Sequence, residues 1–258
     1  MIVKNTVSPC WLASGAELDR AAGRAAEILS GSPVPVFFRA DDLGAPGGNC
    51  RRMLDAFRER SVPLHLAATP AWLTPARWEV LRAWAGEDDL WCWHQHGWRH
   101  LNHQAEGKKS EFGPDRTDDE LRADLTRGRD RLAAIMGDAF RPVFTPPWNR
   151  IDPRVGPILM DLGFTAVSRS SGEDEKVPLP PGLPDIPINV DLHTRREPDP
   201  AEGLGRLLME FERAVDGGRV GVMLHHQRMN DAAFAFLDRC LAAAAGPGGP
   251  ELLRLDRA

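Results

Sequence analysis

The sequence predicts a single-domain α/β protein, a distorted (β/α) barrel with about seven parallel strands, on three observations. Short apolar runs rich in β-branched and aromatic residues alternate with stretches of helical periodicity. At 258 residues, with no composition shift to mark a boundary, the chain has a size at which α/β barrels form one unit. Asp41 with Asp42, His94 to His103, Pro146 to Asn149, Asp191 with His193, and His225 with His226 each lie just past a strand candidate. Parallel strands bring their carboxyl ends to one face of a barrel, where active sites are built. Residues 1–33 read as an N-terminal helical extension packed on a barrel formed by residues 34–258.

The extension carries Leu18, Ala21, Ala22, Ala25, Ile28 and Leu29 at helical spacing over 14–30, ended by Gly31 and Pro33. Val34 to Phe38 is a buried-strand run that stops at Arg39-Ala40-Asp41-Asp42-Leu43-Gly44, and Cys50 to Arg60 follows as a helix. Strand 62–68 and helix 74–85 repeat the rhythm, and a strand from Leu90 to His94 runs into the histidines. Gln104 to Pro114 is polar and reads as a surface loop. Thr117-Asp118-Asp119-Glu120 has the form of a capping box and opens a helix with Leu121, Leu125, Leu132 and Ile135 on its apolar side. Strand 142–144 leads to Thr145-Pro146-Pro147-Trp148-Asn149-Arg150; helix 153–162 and strand 164–168 follow, and 170–184 is expected to be irregular. Ile186 to Asp191 is a strand whose Pro187 marks an edge or a bulge. Helix 201–216, strand 220–224, helix 230–244 and a short segment 252–255 complete the chain.

The chemistry concentrates in Trp91 to His103. The chain has eight histidines and no tyrosine, and His94, His96, His100 and His103 fall within this one run. Neutral imidazole is the commonest nitrogen ligand for zinc and its neighbours. His96 and His100, four residues apart, can point the same way from a helical turn or tight loop, and the pair needs a third, acidic ligand. Asp41 beside Asp42 is a second signal, because adjacent like charges cost energy unless a cation or hydrogen bonds offset them. A plain turn or helix cap is the alternative, and the charge argument makes a metal site the better account of that pair. His94, at a strand end, suits a core role as well as ligation, and His103 suits a ligand, a substrate contact or an exposed loop.

Composition excludes several classes. A net charge of −5 with both signs mixed along the chain offers no basic patch, so nucleic acid is not an expected partner. The four cysteines stand far apart without a C-x-x-C pair and read as reduced thiols. Neither a Gly-x-Gly-x-x-Gly run after the first strand nor a P-loop is present, which argues against nucleotide chemistry. With no 18-residue apolar span and no hydrophobic signal region after Met1-Ile2-Val3-Lys4-Asn5, the expectation is a cytoplasmic protein without a membrane span.

Over roughly residues 34 to 228 these motifs, in this order, resemble the polysaccharide deacetylases with a NodB-homology domain. The family's Thr-Phe-Asp-Asp-Gly is matched in outline by Arg39-Ala40-Asp41-Asp42, with Leu43 inserted before Gly44. Its His-Ser/Thr-x-x-His is matched by His96-Gly97-Trp98-Arg99-His100, glycine standing where the hydroxyl residue usually does. Thr145-Pro146-Pro147-Trp148 is similar to Arg-Pro-Pro-Tyr without the arginine that braces the base, and Val222-Met223-Leu224-His225 is similar to the last motif.

The resemblance implies Asp41 as general base, Asp42, His96 and His100 as metal ligands, and His225 as general acid. It also implies an oxyanion-stabilising backbone N–H at the Pro147–Trp148 turn. Arg39, Arg141 or Arg150 would have to replace the missing brace. Asp191 is a candidate for orienting a catalytic histidine, and His226, where the family often has aspartate, is expected to point away from His225. Trp98, His103, Pro147, Trp148 and Asn149, with Trp93, are candidates for the sugar-binding groove or for core. The implied reaction is metal-dependent removal of an N-acetyl or related acyl group from a sugar or glycan precursor, at an amide but not a peptide bond. One divalent ion is expected: zinc first, with manganese, cobalt or nickel also suited to a site containing aspartate. The alternative is a non-catalytic relative that binds metal or carbohydrate; loss of the motif arginine favours it, and retention of both Asp41 and His225 favours the enzyme.

Overall fold

The computed structural model describes residues 6–87, 89–171 and 177–257. Met1 to Asn5, and residues 172–176 of the expected irregular stretch, lie outside the described residues. Seven parallel strands, β1 (Val36–Leu43), β2 (Leu64–Ala68), β3 (Trp91–His96), β4 (Phe140–Thr145), β5 (Ala166–Val167), β6 (Val190–Asp191) and β7 (Val220–Leu224), are ordered β5-β4-β3-β2-β1-β7-β6. The helices are α1 (Gly15–Ser30), α2 (Gly48–Glu59), α3 (Pro75–Ala85), α4 (Asp118–Met136), α5 (Val155–Asp161), α6 (Pro200–Asp216) and α7 (Asp231–Ala244). α4 opens on the expected Thr117/Glu120 capping box, and α1 opens on a second, Ser14/Glu17. α1 packs on α7 and α6.

The sheet curls into a distorted barrel, and Pro187 explains why its seam is irregular. The N–H groups of Ile186 and Ile188 reach back to the carbonyls of Val167 and Arg169, beside β5. In an extended chain the intervening N–H would face the other way, toward β7, and a proline has none. Pairing with β7 therefore starts only at Asn189, whose N–H reaches Gly221, and continues through β6.

Strand alternation assigns the layers. Phe37, Cys92, Val143 and Met223 form an inner cluster with Ile186, Ile188 and Leu255, while residues of the other parity pack under the helices. Arg39 and Asp41 continue the inward row of β1, and His94 and His96 that of β3.

Some expected bounds change: the strand expected over 186–191 is regular only at Val190–Asp191, and β3 runs past His94 to His96. β1 runs on to Leu43, because Arg39 and Asp41 neutralise each other inside the barrel and so do not end the strand. The stretch 104–114 is not wholly a surface loop: Ser110, Glu111 and Phe112 are buried. Among the described residues, no helix is long and apolar enough to cross a membrane.

Candidate active site

Successive residues of a regular strand point to opposite faces, yet Asp41 and Asp42 line the same cleft. β1 slips out of register with β2 between Ala40 and Leu43, and Asp42 takes φ 63°, so a bulge turns both carboxylates toward the mouth of the barrel. His100, Trp148 and Asn149 also adopt positive φ, at 58°, 55° and 60°. Only one other described non-glycine residue, Ser61, does so, and backbone strain concentrated in this way marks a functional site.

At that mouth Asp42, His96 and His100 offer ligand atoms that all lie within 4.8 Å of one another. His96 Nε2 is 3.3 Å and His100 Nε2 3.2 Å from Asp42 Oδ1. The opposite nitrogen of His96, Nδ1, sits 3.0 Å from the Thr145 carbonyl, which can only accept, so a neutral ring carries its proton there and turns a lone pair on the aspartate. Asp42 Oδ1 is buried and, with those rings neutral, meets no hydrogen-bond donor among the described residues. Converging lone pairs without protons between them repel, and a cation removes the repulsion. Ligands at zinc–nitrogen and zinc–oxygen distances in tetrahedral geometry stand about 3.3 Å apart, so the donor spacing fits a divalent ion. Without an ion, a protonated His96 donates to Asp42 instead: against its burial, the two aspartates raise the pKa of His96. This bond, with the charge of His225, His96 and His100, outweighs the burial of Asp42 and holds its pKa well below the usual carboxylate range. Burial lowers His100 to about 4, so it is neutral at pH 7, as a ligand must be. Its ring is packed between Trp72 and Trp148, with centroids 5.8 and 4.4 Å away.

Asp41 is braced by Arg39, two residues earlier on the same strand and the same face. Arg39 Nε and Nη2 donate to Asp41 Oδ1 and Oδ2, both at 2.8 Å, a bidentate fork between fully buried groups. The remaining donors go to the Ser168 carbonyl and hydroxyl and to Asn149 Oδ1, again at 2.8 Å. Burial opposes ionisation of Asp41; the guanidinium beside it, with His96 and His225, prevails and keeps its pKa below the usual range. Arg141 instead pairs with Asp256, and Arg150 donates to the Lys109 carbonyl. Thr145, where the family motif carries arginine, uses its hydroxyl on His94 and its carbonyl on His96.

His225 completes the mouth, its Nε2 4.0 Å from Asp42 Oδ2. Asp191 does not orient it: the Asp191 carboxylate accepts from the backbone N–H groups of His193 and Thr194 and from the Thr194 hydroxyl. His226 is buried in the turn after β7, and among the described residues its Nδ1 has no partner. His94 is a satisfied core residue, bonded to Cys92 O and Thr145 Oγ1. Of the groove candidates, Trp148 and Asn149 line the cleft of about 1620 Å³. Pro147 is buried beside it, Trp93 packs edge-on against Trp78, and Trp98 is buried with Phe112 and Leu121 under the Arg127 guanidinium. His103 is exposed and takes no part in the cluster. The sequence reading missed Glu111, a fully buried carboxylate that accepts from Trp98 N–H and Arg99 N–H inside the His96–His100 motif. Its one signal was Gly97, where the motif normally carries a hydroxyl.

Comparison with known proteins gives the same picture at the level of fold. A family 4 carbohydrate esterase from Streptomyces lividans, solved with acetate, superposes with a TM-score of 0.50 at 13% identity, over 86% of this chain and 92% of that one. A CE4 esterase from Streptococcus mutans gives 0.58 at 13% identity, over 88% and 90%. A CE4 family pseudoenzyme from Bacillus anthracis gives 0.51 at 13% identity, over 83% of this chain and 60% of that one. Among curated proteins none matches. The family profile described as polysaccharide deacetylase matches residues 36–167, just over half of the sequence, and the chain belongs to that family.

Proposed function

We propose that the chain is a metal-dependent deacetylase that hydrolyses the N-acetyl, or a related acyl, amide of a sugar or glycan precursor. The observation that carries this reading is the meeting of a braced aspartate, an Asp–His–His donor set and a further histidine in one cleft. Asp42, His96 and His100 would hold one divalent ion, zinc by preference, which when bound supplies a Lewis acid to polarise the amide carbonyl and acidify a water. Asp41, kept ionised by Arg39, accepts the proton of the attacking water. The backbone N–H of Trp148 supports the oxygen that gains charge as the carbonyl carbon becomes tetrahedral. His225 gives its proton to the amine nitrogen as the C–N bond breaks, and the carboxylic acid and the free amine leave. The Trp148 ring, at the cleft wall, offers an apolar face to a sugar.

A non-catalytic reading drew its support from the missing arginine at Thr145. Arg39 occupies both oxygens of Asp41 in its place, which favours catalysis. The test is acetate release from a panel of N-acetylated sugars by the metal-loaded protein. Asp41→Asn and His225→Ala are each expected to lower turnover by roughly 10²-fold or more with metal content unchanged. Undiminished activity in Asp41→Asn would overturn the mechanism, and a metal-loaded wild type that releases no acetate from any sugar would favour the non-catalytic relative.

A further inference from the structure

Each of the three donor residues has its own backing. His96 is fixed by the Thr145 carbonyl at 3.0 Å, and the Asp42 backbone carbonyl accepts from the Gln227 amide at 2.6 Å. His100 lies on the loop after β3, in a left-handed conformation that is uncommon for residues other than glycine. Glu111 is what meets that loop. Its Oε2 accepts from Trp98 N–H at 3.1 Å and its Oε1 from Arg99 N–H at 2.7 Å, the two residues just before His100.

The Glu111 side chain is fully buried, and among the described residues no lysine or arginine pairs with its carboxylate. Burial raises its pKa, opposed mainly by those backbone N–H groups. Burying a carboxylate whose only partners are main-chain donors is costly, which sets this residue apart from a surface acid. Gly97 has φ 59°, and a Cβ there would lie 2.1 Å from Glu111 Oε2 and 2.5 Å from Pro147 Cγ. The carboxylate fills the space next to the backbone that a side chain at position 97 would need.

We propose that Glu111 is the positioning residue for His100: it replaces, from a separate segment, the hydroxyl that His96-Gly97-Trp98-Arg99-His100 lacks, and so sets the affinity of the Asp42–His96–His100 site for its ion. This rests on the metal reading of that site.

The test is titration of metal-stripped protein with Zn²⁺ against a chromophoric chelator, at a temperature where circular dichroism finds every variant folded. Glu111→Gln keeps the shape but halves the accepting capacity, and it should weaken binding 10- to 100-fold, the usual effect of losing a residue behind a metal ligand. In a His100→Ala background the same substitution should have little further effect, since its action runs through His100. Equal losses in the two backgrounds, or wild-type affinity in Glu111→Gln, overturn the proposal. Should Glu111→Gln fail to fold, Gly97→Ala, which pushes on the carboxylate without removing it, takes its place with the same expectation. Failure of the underlying reading looks different: the wild-type protein itself then takes up no Zn²⁺.

Discussion

At the amino ends of β2 and β3, away from the cleft, His65, Cys92 and Asp256 bring potential metal donors within 4.8 Å, just as Asp42, His96 and His100 do at the mouth. The two clusters differ in what their lone pairs face. His65 Nδ1 lies 2.7 Å from the Phe38 carbonyl and Nε2 accepts from Leu255 N–H at 3.0 Å, so both nitrogens are in use. Asp256 is clamped by Arg254 at 3.0 Å and Arg141 at 3.2 Å. Burial pushes the Cys92 thiol well above its usual range, away from the thiolate a metal would need. At the mouth, by contrast, Asp42 Oδ1 has no hydrogen-bond partner among the described residues while the two imidazole nitrogens that face it are unprotonated. Nearness of donor residues is not enough for an ion to fit; lone pairs free to point at one space are needed as well. The lower cluster fastens the C-terminal segment to the barrel.

The largest expected effect is on metal content. Elemental analysis should find that His96→Ala and Asp42→Ala lose a bound divalent ion, while His65→Gln and Cys92→Ser keep the wild-type amount. Retention in the first pair or loss in the second breaks the contrast between the two ends.

A smaller effect separates the two carboxylate–guanidinium groups. Arg39→Met strands the buried Asp41 charge and should cost about 3 to 5 kcal/mol in urea unfolding. Arg141→Met, at a side chain 34% exposed that shares Asp256 with Arg254, should cost no more than about 1 kcal/mol. Equal costs would mean that burial does not distinguish the two ends.

The smallest effect is a pH dependence. Burial lowers His65 to about 4 in the folded protein, against 6.5 for a free histidine. Between those values the unfolded chain binds the proton that the folded chain refuses, so stability is full above about pH 6.5 and declines as the pH falls toward 4. This one residue should remove about 2 kcal/mol between pH 7 and pH 5. His65→Gln, whose amide still offers a donor and an acceptor, should flatten that part of the decline in unfolding experiments at the two pH values. An unchanged slope would show that His65 titrates normally.

The sequence by itself determined the parallel barrel, the succession of strands and helices along the chain and the strand ends where the candidate residues lie, because these follow from local periodicity and from the alternation of short apolar runs with helices. It also brought Asp41, Asp42, His96, His100 and His225 into view, through spacing within single motifs. Partners were beyond its reach. Arg39 was one of three candidate braces until β1 proved to run on through Asp41, which puts the two side chains on the same face of one strand; Asp191 stood next to histidines in sequence but spends its carboxylate on backbone N–H groups. Glu111 sat in a polar run that reads as loop until it is seen enclosed beneath the His100 turn. The physical reason is the same in each case: a polar side chain's role is set by which donor or acceptor lies within about 3 Å of it, and for a buried group that neighbour is often supplied by a distant part of the chain, as Ser168 is for Arg39.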